Sequence, residues 1–341
     1  MVKMATIKDV AQSAGVSIAT VSRVLNGSSS VKPATKAAIQ RAIEKLNYHP
    51  NALARGLQKK QSKTIGVLFP DATSYYFAEI IRGINNSVQQ AGYKIMVSSA
   101  HDATDEANTF MSLWKSQQVS GLIVMMPSTR NVNIFTSSQR NIPLILLNTA
   151  ITDGADITIK IDNYSGALEI TRHLINHGHK AIGFIHGAPN NHDSEERYRG
   201  YCDALKLADL TTSPYWEFHG NFTENSGYRA VISLLNHPEK PSAIFAANDS
   251  MAIGAIEAIR QFSLKVPQDI AIVGFDDIST AQYINPPLTT MNVPVLEMGE
   301  QAGNHLIGLL ENRRQTSTQN ITVPTHLVVR ESCGCQRKNN T

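Results

Sequence analysis

Residues 17 to 26, SIATVSRVLN, bring small, hydroxyl and guanidinium side chains together on one side of a short helical pattern. Val21, Val24 and Leu25 fall at the spacing of a buried helix face. The side chains left facing outward are Ile18, Ala19, Ser22, Arg23 and Asn26. Such groups suit base edges and phosphate oxygens better than a protein core, so the pattern predicts contact with DNA.

The segment before this helix supplies a matching partner. Ile7, Val10 and Ala11 fall on one helical face, Gly15 stands at the turn, and Ser17 can cap the second helix. Two short helices around a tight turn are the layout of a helix-turn-helix DNA reader. A plain helical hairpin would share this pattern, and a second property of the sequence is needed to separate the two.

Charge is that second property. Residues 1–63 hold eleven Lys and Arg against two acidic residues, a balance of +9, whereas the rest of the chain has a balance of −6. A basic segment of this kind neutralises phosphates and releases their counterions. The asymmetry therefore favours DNA binding over a simple hairpin.

A third amphipathic stretch, with apolar residues from Ala34 to Leu46, would complete a compact three-helix head before Pro50 interrupts the pattern. The next ten residues, NALARGLQKK, are too few to hold a helix alone in water, so one interpretation is a flexible linker. The other is a segment that becomes helical only when two copies pair on DNA, with Leu57 as an apolar wedge in the minor groove.

From Thr64 onward, short apolar runs alternate with helical periodicity. The runs begin near residues 65, 94, 121, 143, 181, 243 and 270. Buried strands that alternate with helices predict doubly wound parallel sheets, and this stretch is longer than one sheet normally carries. We therefore expect two α/β lobes, with a ligand cleft beyond the carboxyl ends of their strands.

Polar and aromatic residues that follow these strands are the candidates for ligand chemistry. They are Asp71, Tyr75, Tyr76, Phe77, Asn191, Asp193, Arg197, Phe222, Asn248, Asp249, Asp276 and Asp277. Carboxylates, amides and a guanidinium beside aromatic rings suit a polyhydroxylated ligand, because each hydroxyl both donates and accepts hydrogen bonds. Any one of them could instead cap a helix, and Asp249 is expected to be chiefly an N-cap.

Catalytic signatures are missing from the sequence, which has no GxGxxG after the first strand, no GxxxxGK[ST] and no GxSxG. His173, His177 and His179 cluster at a predicted helix end, where imidazole caps carbonyls. Cys333 and Cys335 form a C-x-C pair without further Cys or His at ligand spacing. We therefore expect unpaired thiols, no metal, no cofactor and no enzymatic activity.

Several stretches taken together resemble the LacI/GalR family of bacterial transcription regulators. They are TIKDVAQSAGVSIATVSRVLNG, PNALARGL, TIGVLFPD, YYFAEIIRGI, LINHGHKAIGFI, AIFAANDSMAIGAI, VPQDIAIVGFDD and PPLTTMNVP. The resemblance covers nearly the whole chain. It implies a homodimer whose heads bind a pseudo-palindromic operator on double-stranded DNA, and a core that is similar to a periplasmic sugar-binding protein.

The domain limits expected from this resemblance are a helix-turn-helix head at 1–49, a hinge segment at 50–63, an effector-binding and dimerisation core at 64–330 and a tail at 331–341. The core would have two doubly wound parallel-sheet lobes, roughly 64–163 plus 292–330, and 164–291. The sequence lacks a membrane-length apolar run, a signal segment and a C-terminal leucine heptad. We therefore expect a cytoplasmic, nucleoid-associated dimer.

Carried over by position, the resemblance assigns a set of DNA-binding residues in the head and hinge. Ile18 and Ala19 would read bases, and Arg23 would contact guanine. The phosphate-holding positions would be Thr6, Ser17, Thr20, Ser22 and Asn26. The hinge positions would be Asn51, Ala54, Leu57 and Lys60, with the last three in the central minor groove.

In the core, the resemblance assigns effector binding to Tyr76, Phe77, Asn191, Asp193, Arg197, Phe222, Asn248 and Asp276. Arg197, Asn248 and Asp276 match positions that hold sugar hydroxyls in sugar-responsive members. The purine-responsive branch shares the Tyr-Phe pair and the aromatic at 222, but it usually lacks the amide at 248. We therefore expect a repressor of carbohydrate-utilisation genes switched by a sugar. A purine or nucleoside effector and a protein corepressor remain the alternatives.

Overall fold

The computed structural model describes residues 5–25, 30–48, 62–70, 75–99, 108–109, 112–113, 115, 118–125, 142–149, 154–311 and 319–335. The chain divides into two compact units, Met1–Ser62 and Lys63–Thr341. No helix among these residues is long and apolar enough to cross a lipid bilayer.

Three helices make up the described part of the smaller unit: α1 (Ile7–Ser13), α2 (Ile18–Leu25) and α3 (Pro33–Lys45). Thr6 and Asp9 form a reciprocal capping box at the start of α1. Gly15 turns the chain toward α2 with a φ of +64°, in the left-handed region that glycine adopts without a steric cost. These local features fix the turn between the first two helices.

The core of this unit matches the predicted helix faces. The buried residues are Val10, Ala11, Val21, Ile39 and Ala42, and the partly buried side chains packed around them include Ile7, Val24, Leu25, Ile43 and Leu46. The predicted stripe of α3 is wrong at Ala34 and Ala37, which are exposed. The buried face of α3 instead runs through Ile39 and Ala42 to Leu46, at the three- and four-residue spacing of a helix.

Among the described residues, the first sheet of the larger unit has six strands: β1 (Thr64–Phe69), β2 (Lys94–Ser99), β3 (Gly121–Met125), β4 (Leu144–Leu147), β5 (Ile157–Ile161) and β11 (Gln319–Val323). Their order is β11-β5-β4-β3-β1-β2, and all neighbours are parallel. β3 and β4 are buried from end to end, as central strands covered on both faces should be.

Two helices, α4 (Tyr75–Gln90) and α9 (Val295–Glu311), pack closely against each other beside this sheet. A Cβ on Gly83 of α4 would lie 2.1 Å from the carbonyl oxygen of Leu296. Only glycine, which has no Cβ, permits the two backbones to come this close. Gly83 therefore fixes how α4 packs against α9. This helix begins with the Tyr75-Tyr76-Phe77 segment.

The second sheet contains β6 (Ile182–His186), β7 (Glu217–His219), β8 (Ala243–Ala246) and β9 (Ala271–Val273). Their order is β7-β6-β8-β9, again with parallel neighbours. The helices of this region are α5 (Asn163–Asn176), α6 (His192–Leu207), α7 (Glu224–Leu235) and α8 (Asp249–Gln261). α5 packs on α6 and α7 on α8.

A short antiparallel pair, β10 (Thr290–Asn292) and β12 (His326–Val328), lies where the chain passes between the two sheets. Short 3-10 turns at Pro214–Trp216 and Ser279–Gln282 complete the regular structure of the described residues. After β12 the chain returns to the second sheet, where the Ile272 amide donates to the Ser332 carbonyl at 2.9 Å. In both sheets, polar residues follow the carboxyl ends of the strands. Examples are Asn148 after β4, Asn163 after β5 and Asp276 after β9.

Candidate functional site

The outward face of α2 carries the predicted base-reading residues. Among the described residues of the smaller unit, Ile18 is the one exposed large hydrophobic side chain, at 44%. Ala19 and Arg23 are also exposed, while Thr20 and Ser22 are partly buried. The helix thus presents an apolar and a guanidinium group to solvent. Their contact with bases stays a prediction.

Two of the predicted phosphate contacts have capping roles in the structure. The Ser17 hydroxyl accepts a hydrogen bond from the Thr20 amide at 3.2 Å, which confirms the cap predicted for α2. The Thr6 hydroxyl donates to the Asp9 carboxylate at 2.7 Å within the capping box of α1. Both side chains remain exposed. Phosphate binding by them stays a prediction.

The remaining DNA-binding predictions lie outside the described residues. They are Asn26 at the end of the recognition helix and the hinge positions Asn51, Ala54, Leu57 and Lys60. The same holds for Asp71 in the core.

In the larger unit, a buried polar network centres on Arg197. Its Nε donates to Asn163 Oδ1 at 2.8 Å, and its Nη2 lies 3.2 Å from Asp276 Oδ1. A further Nη1–H donates to the carbonyl oxygen of Ala247, which follows β8. The guanidinium also stacks on Phe275, with Cζ 3.8 Å from the ring centroid. Arg197 therefore joins the ends of β5, β8 and β9.

The network continues to a second carboxylate. Asn163 Nδ2 donates to Asp193 Oδ1 at 2.8 Å, so one amide bridges Arg197 and Asp193. All three side chains are buried. Two of the predicted effector residues are thus held in place by Asn163, which the sequence analysis did not select.

Tyr76 and Phe77 occupy the first turn of α4. The Tyr76 hydroxyl accepts a hydrogen bond from Asn148 Nδ2 at 3.0 Å, and Asn148 Oδ1 accepts one from the Ile161 amide at 3.2 Å. The Phe77 ring packs between Phe69 and Tyr76, with centroid distances of 5.6 and 5.4 Å. Asn148 therefore sets the position of the Tyr76 hydroxyl through the end of β4.

Phe222 and Asn248 form a pair at the end of the second sheet. Asn248 Nδ2 donates to the Phe222 carbonyl at 3.1 Å, while Asn248 Oδ1 caps α8 by accepting from the Met251 amide. A Cβ on Gly187 would lie 2.0 Å from Phe222 Cζ, so the ring packs directly on that backbone. Asn191 is the N-cap of α6 in the same way, accepting from the Ser194 amide.

Cavities flank this network on two sides. One of about 300 Å³ is lined by Tyr76, Asp276, Asp277, Asn292 and Val293 among others. Another of about 360 Å³ is lined by Asn148, Asn163, Asp193 and Glu196 among others. Each has the size of a small-molecule site and borders one carboxylate of the network.

Burial controls the protonation of these carboxylates. It raises the pKa of the Asp276 carboxyl to about 6, although the neighbouring Arg197 acts in the opposite direction. Burial also raises the pKa of Asp193, again against Arg197. The pKa of Tyr76 is raised well above its usual value by burial and by the charges of Asp276 and Asp193. Tyr76 therefore keeps its proton and can donate it in a hydrogen bond.

Strained backbone marks the same region. Phe222 has a φ of +66°, Asp276 of +106° and Asp277 of +54°, in the region that L-residues rarely adopt. Such conformations persist only where the surrounding contacts hold them, and they cluster at functional sites. The backbone conformation of Asp276 is supported by its own N–H, which donates a hydrogen bond to the Met291 carbonyl at 2.8 Å.

Asp249 departs from its predicted role. The N-cap of α8 is Asn248, and the Asp249 carboxylate instead accepts from the Thr290 hydroxyl at 2.6 Å and from the Ile278 amide at 2.9 Å. Sequence alone favoured the cap because Asp and Asn stand side by side at the helix start. The carboxylate is fully buried and ties α8 to β10.

Asn148 and Asn163 are the two site residues that sequence reasoning missed. Asn148 directly follows the apolar run that begins near residue 143, so the strand-end rule would have found it. Asn163 follows β5, whose sequence ITIKI alternates with a threonine and a lysine and gives a weaker apolar signal. Its role depends on contacts with residues 30 and 34 positions away.

Both units match models of known protein families. Residues 6–51 match the family described as bacterial regulatory proteins, lacI family. Residues 171–333 match a periplasmic binding protein-like domain. The order of the two matches is that of a DNA-binding head followed by a ligand-binding core.

Full-length relatives and solved structures agree with this order. The HTH-type transcriptional repressor PurR of Proteus mirabilis (strain HI4320) is 37% identical over 331 residues, covering 96% of this chain and 97% of that protein. The lac repressor dimer bound to operator and the anti-inducer ONPF superposes with a TM-score of 0.83 at 30% identity, covering 97% of this chain and 99% of that one. The complex of the transcriptional regulator CelR with cellobiose has a TM-score of 0.73 at 28% identity, covering 96% and 99%.

The head, the two parallel-sheet lobes and these matches define a DNA-binding transcription repressor with a periplasmic-binding-protein-like core. The chain belongs to the lacI family of bacterial regulatory proteins. The fold class and the family resemblance predicted from the sequence are both confirmed.

Proposed function

We propose that this repressor is a homodimer that controls carbohydrate-utilisation genes and responds to a small sugar bound in the core. The observation that carries the proposal is the state of Asp276. Its carboxylate is buried, and within the described part of the chain Oδ1 has no well-aligned hydrogen-bond donor despite the nearby Arg197. A sugar hydroxyl would supply that donor.

The composition of the network supports a neutral polyhydroxylated ligand. One cavity is lined by Asp276 and Asn292 and the other by Asp193, Asn148 and Asn163, so each combines carboxylate acceptors with amide donors. Among the described residues, Arg197 is the only buried cation, and Asn163, Ala247 and Asp276 already engage it. A phosphorylated ligand would therefore have to rely on Lys160 and Arg199, which line the second cavity and are not buried.

The named structural relatives give further support, since CelR is in complex with cellobiose at 28% identity to this chain. A purine or nucleoside effector is the second candidate. It is favoured by the 37% identity to repressors named PurR and by Tyr75 and Tyr76, which line the first cavity and offer rings on which a planar base could stack.

The proposed switch couples the core to the DNA through the hinge. The segment at 50–63 would fold on DNA only when two copies lie at the correct distance, so a change in core conformation would alter operator affinity. Linkage requires the sugar and the operator to change each other's affinity by the same factor. This regulation would take place in the cytoplasm, where bacterial DNA lies.

The experiment is a thermal-shift screen of the full-length protein against neutral sugars, sugar phosphates, nucleobases and nucleosides, followed by operator binding with each ligand that shifts the transition. A ligand at a hundred times its dissociation constant stabilises the folded state by about 2.7 kcal/mol, which is readily measured. Wild-type protein should respond to a neutral sugar, and Asp276→Asn should not.

A shift with purines alone would replace the sugar by the second candidate. A protein that binds its operator but responds to none of these compounds would point to a protein corepressor. A protein that binds a sugar but no DNA would overturn the proposed coupling between the two.

A further inference from the structure

A cluster of two histidines and two cysteines lies away from the effector network. His173 and His177 stand one turn apart on and just beyond α5, while Cys333 and Cys335 belong to the segment after β12. His173 Nε2 is 3.3 Å from Cys333 Sγ and 3.5 Å from Cys335 Sγ. His177 Nε2 is 2.8 Å from Cys335 Sγ. The fold thus brings two thiol sulfurs and two imidazole nitrogens close together.

We propose that this cluster binds a structural Zn²⁺ ion, with His173, Cys333 and Cys335 as ligands and His177 as the fourth. The donor atoms of the first three lie within 4.8 Å of one another. Zinc–sulfur and zinc–nitrogen bonds of about 2.3 and 2.0 Å at tetrahedral angles place neighbouring donor atoms roughly 3.5 to 3.8 Å apart. The two contacts of His173 already meet that spacing to within about 0.3 Å.

His177 has to shift to join, because it lies outside the group of donor atoms within 4.8 Å of one another, and its Nε2 is closer to Cys335 Sγ than two zinc ligands would be. Its Nδ1 lies 2.7 Å from the carbonyl oxygen of His173, so this nitrogen carries the proton and donates it. Nε2 then carries the lone pair, which accepts a hydrogen bond from the Cys335 thiol at 2.8 Å and would bind the metal once that thiol has lost its proton. A backbone carbonyl that fixes the tautomer in this way is the usual support of a metal-bound histidine.

The sulfur of Cys333 has a similar support. The Thr289 hydroxyl donates to Cys333 Sγ at 3.1 Å, and a hydroxyl donor stabilises the charge of a metal-bound thiolate. Cys333 is 2% exposed, so this side of the cluster is shielded from water. A buried sulfur that already accepts a hydrogen bond is suited to a closed structural site, in which every coordination position is filled by protein.

The short loop between the cysteines also fits the role. Gly334 has a φ of +89°, a left-handed conformation that reverses the chain and lets Cys333 and Cys335 approach the same two histidines. Bound zinc would anchor this loop to the end of α5. The adjoining Ser332 carbonyl accepts from Ile272 of β9, so the ion would brace the edge of the second sheet.

The proposed site departs from the sequence-based expectation of unpaired thiols without a metal, and the experiment below decides between the two. The C-x-C pair lacked partners in the sequence because His173 and Cys333 are 160 residues apart. Only the folded chain brings them together. Cys202, on α6, lies outside the cluster and serves as an internal control.

The test uses full-length, untagged protein that has been reduced, stripped with a chelator and dialysed. Zinc should rebind at one ion per chain in competition with a chromophoric chelator. Cobalt in its place should give the intense visible absorption of a tetrahedral site together with a thiolate charge-transfer band. Removal of zinc should lower the unfolding temperature, because the ion binds the folded state only.

Matched variants locate the ion. Cys335→Ser and His173→Gln should abolish stoichiometric binding and the cobalt charge-transfer band, while Cys202→Ser should retain both. His177→Gln should weaken binding at least about tenfold. Circular dichroism and operator binding by the variants establish that they are folded. A reduced wild-type protein that binds no zinc would overturn the proposal, as would undiminished binding by folded Cys335→Ser.

Discussion

Arg197 Nη2 lies 3.2 Å from Asp276 Oδ1, and the two residues are 3% and 9% exposed. A guanidinium from α6 thereby meets a carboxylate held in a left-handed conformation beyond β9. The ion pair is buried yet incomplete, since among the described residues Oδ1 has no aligned donor. A ligand that completes it would interact with both the helix and the strand end.

Replacing Asp276 by asparagine should abolish the effector response and leave operator affinity unchanged. The amide keeps the size of the carboxylate but removes the charge that holds Arg197 and the ligand hydroxyl. Operator binding measured with and without the effector tests this. Asp203→Asn, which alters a carboxylate bonded to Tyr164, is the control and should respond normally. A fully responsive D276N protein would show that the ligand binds elsewhere.

Effector affinity should depend on pH around the raised pKa of Asp276, which is about 6. Because a sugar hydroxyl donates to the carboxylate, affinity should be constant well above pH 6 and fall about tenfold per unit below it. Titration calorimetry across pH 5 to 8 measures this, and D276N should lack this dependence.

Stability without ligand should follow the opposite trend. A carboxyl with a folded-state pKa above its unfolded value stabilises the fold while it is protonated. That contribution is complete below about pH 4 and is lost as the pH rises through about 6. The difference in the free energy of unfolding between the wild type and D276N, measured over this window, should therefore change. A constant difference would contradict the raised pKa.

Substitution of Gly187 by alanine should disturb effector binding through Phe222. The added methyl would lie 2.0 Å from Phe222 Cζ, so the ring must move, at a cost of about 1–3 kcal/mol. Effector affinity should fall and the unfolding temperature should drop. The double variant Gly187→Ala with Phe222→Leu should regain stability because the smaller side chain relieves the overlap. Absence of that recovery would show that the two residues are not coupled.

Replacement of Arg23 by alanine should relax sequence discrimination at one base pair of each operator half-site by about 1–3 kcal/mol. Arg23 is exposed on α2, so its loss leaves the core of the head intact. Binding to the operator and to single-base variants, measured at fixed salt, tests this. Lys45→Ala, on the exposed end of α3, is the control and should leave the discrimination between sequences unchanged. Unchanged discrimination by R23A would remove the base-reading role from this residue.

The parts of the molecule that could be predicted from sequence depend on local patterns. Val10, Ala11 and Val21 reveal their buried faces through helical spacing, and the Ser17 cap depends on an amide three residues away. The parallel sheets follow similarly from short buried runs.

The sequence could not show which of several polar residues after a strand belong to the site and which cap a helix. Nothing local distinguishes Asn163, which joins Arg197 to Asp193, from Asn191, which caps a helix. The partners of Asp249 lie 29 and 41 residues away, and its neighbour Asn248 takes the cap. These assignments depend on tertiary contacts, which a pattern within one segment does not contain.

The central position of Arg197 also limits how ligand preference in such a protein can change over evolution or by engineering. Its guanidinium contacts three partners from different segments, so a substitution would disrupt their packing together with the proposed effector site. Val293 lines one cavity, and its apolar side chain makes no hydrogen bond to Arg197 or to the partners of Arg197. New specificities should therefore arise first at cavity-lining positions of that kind, while the arginine is retained.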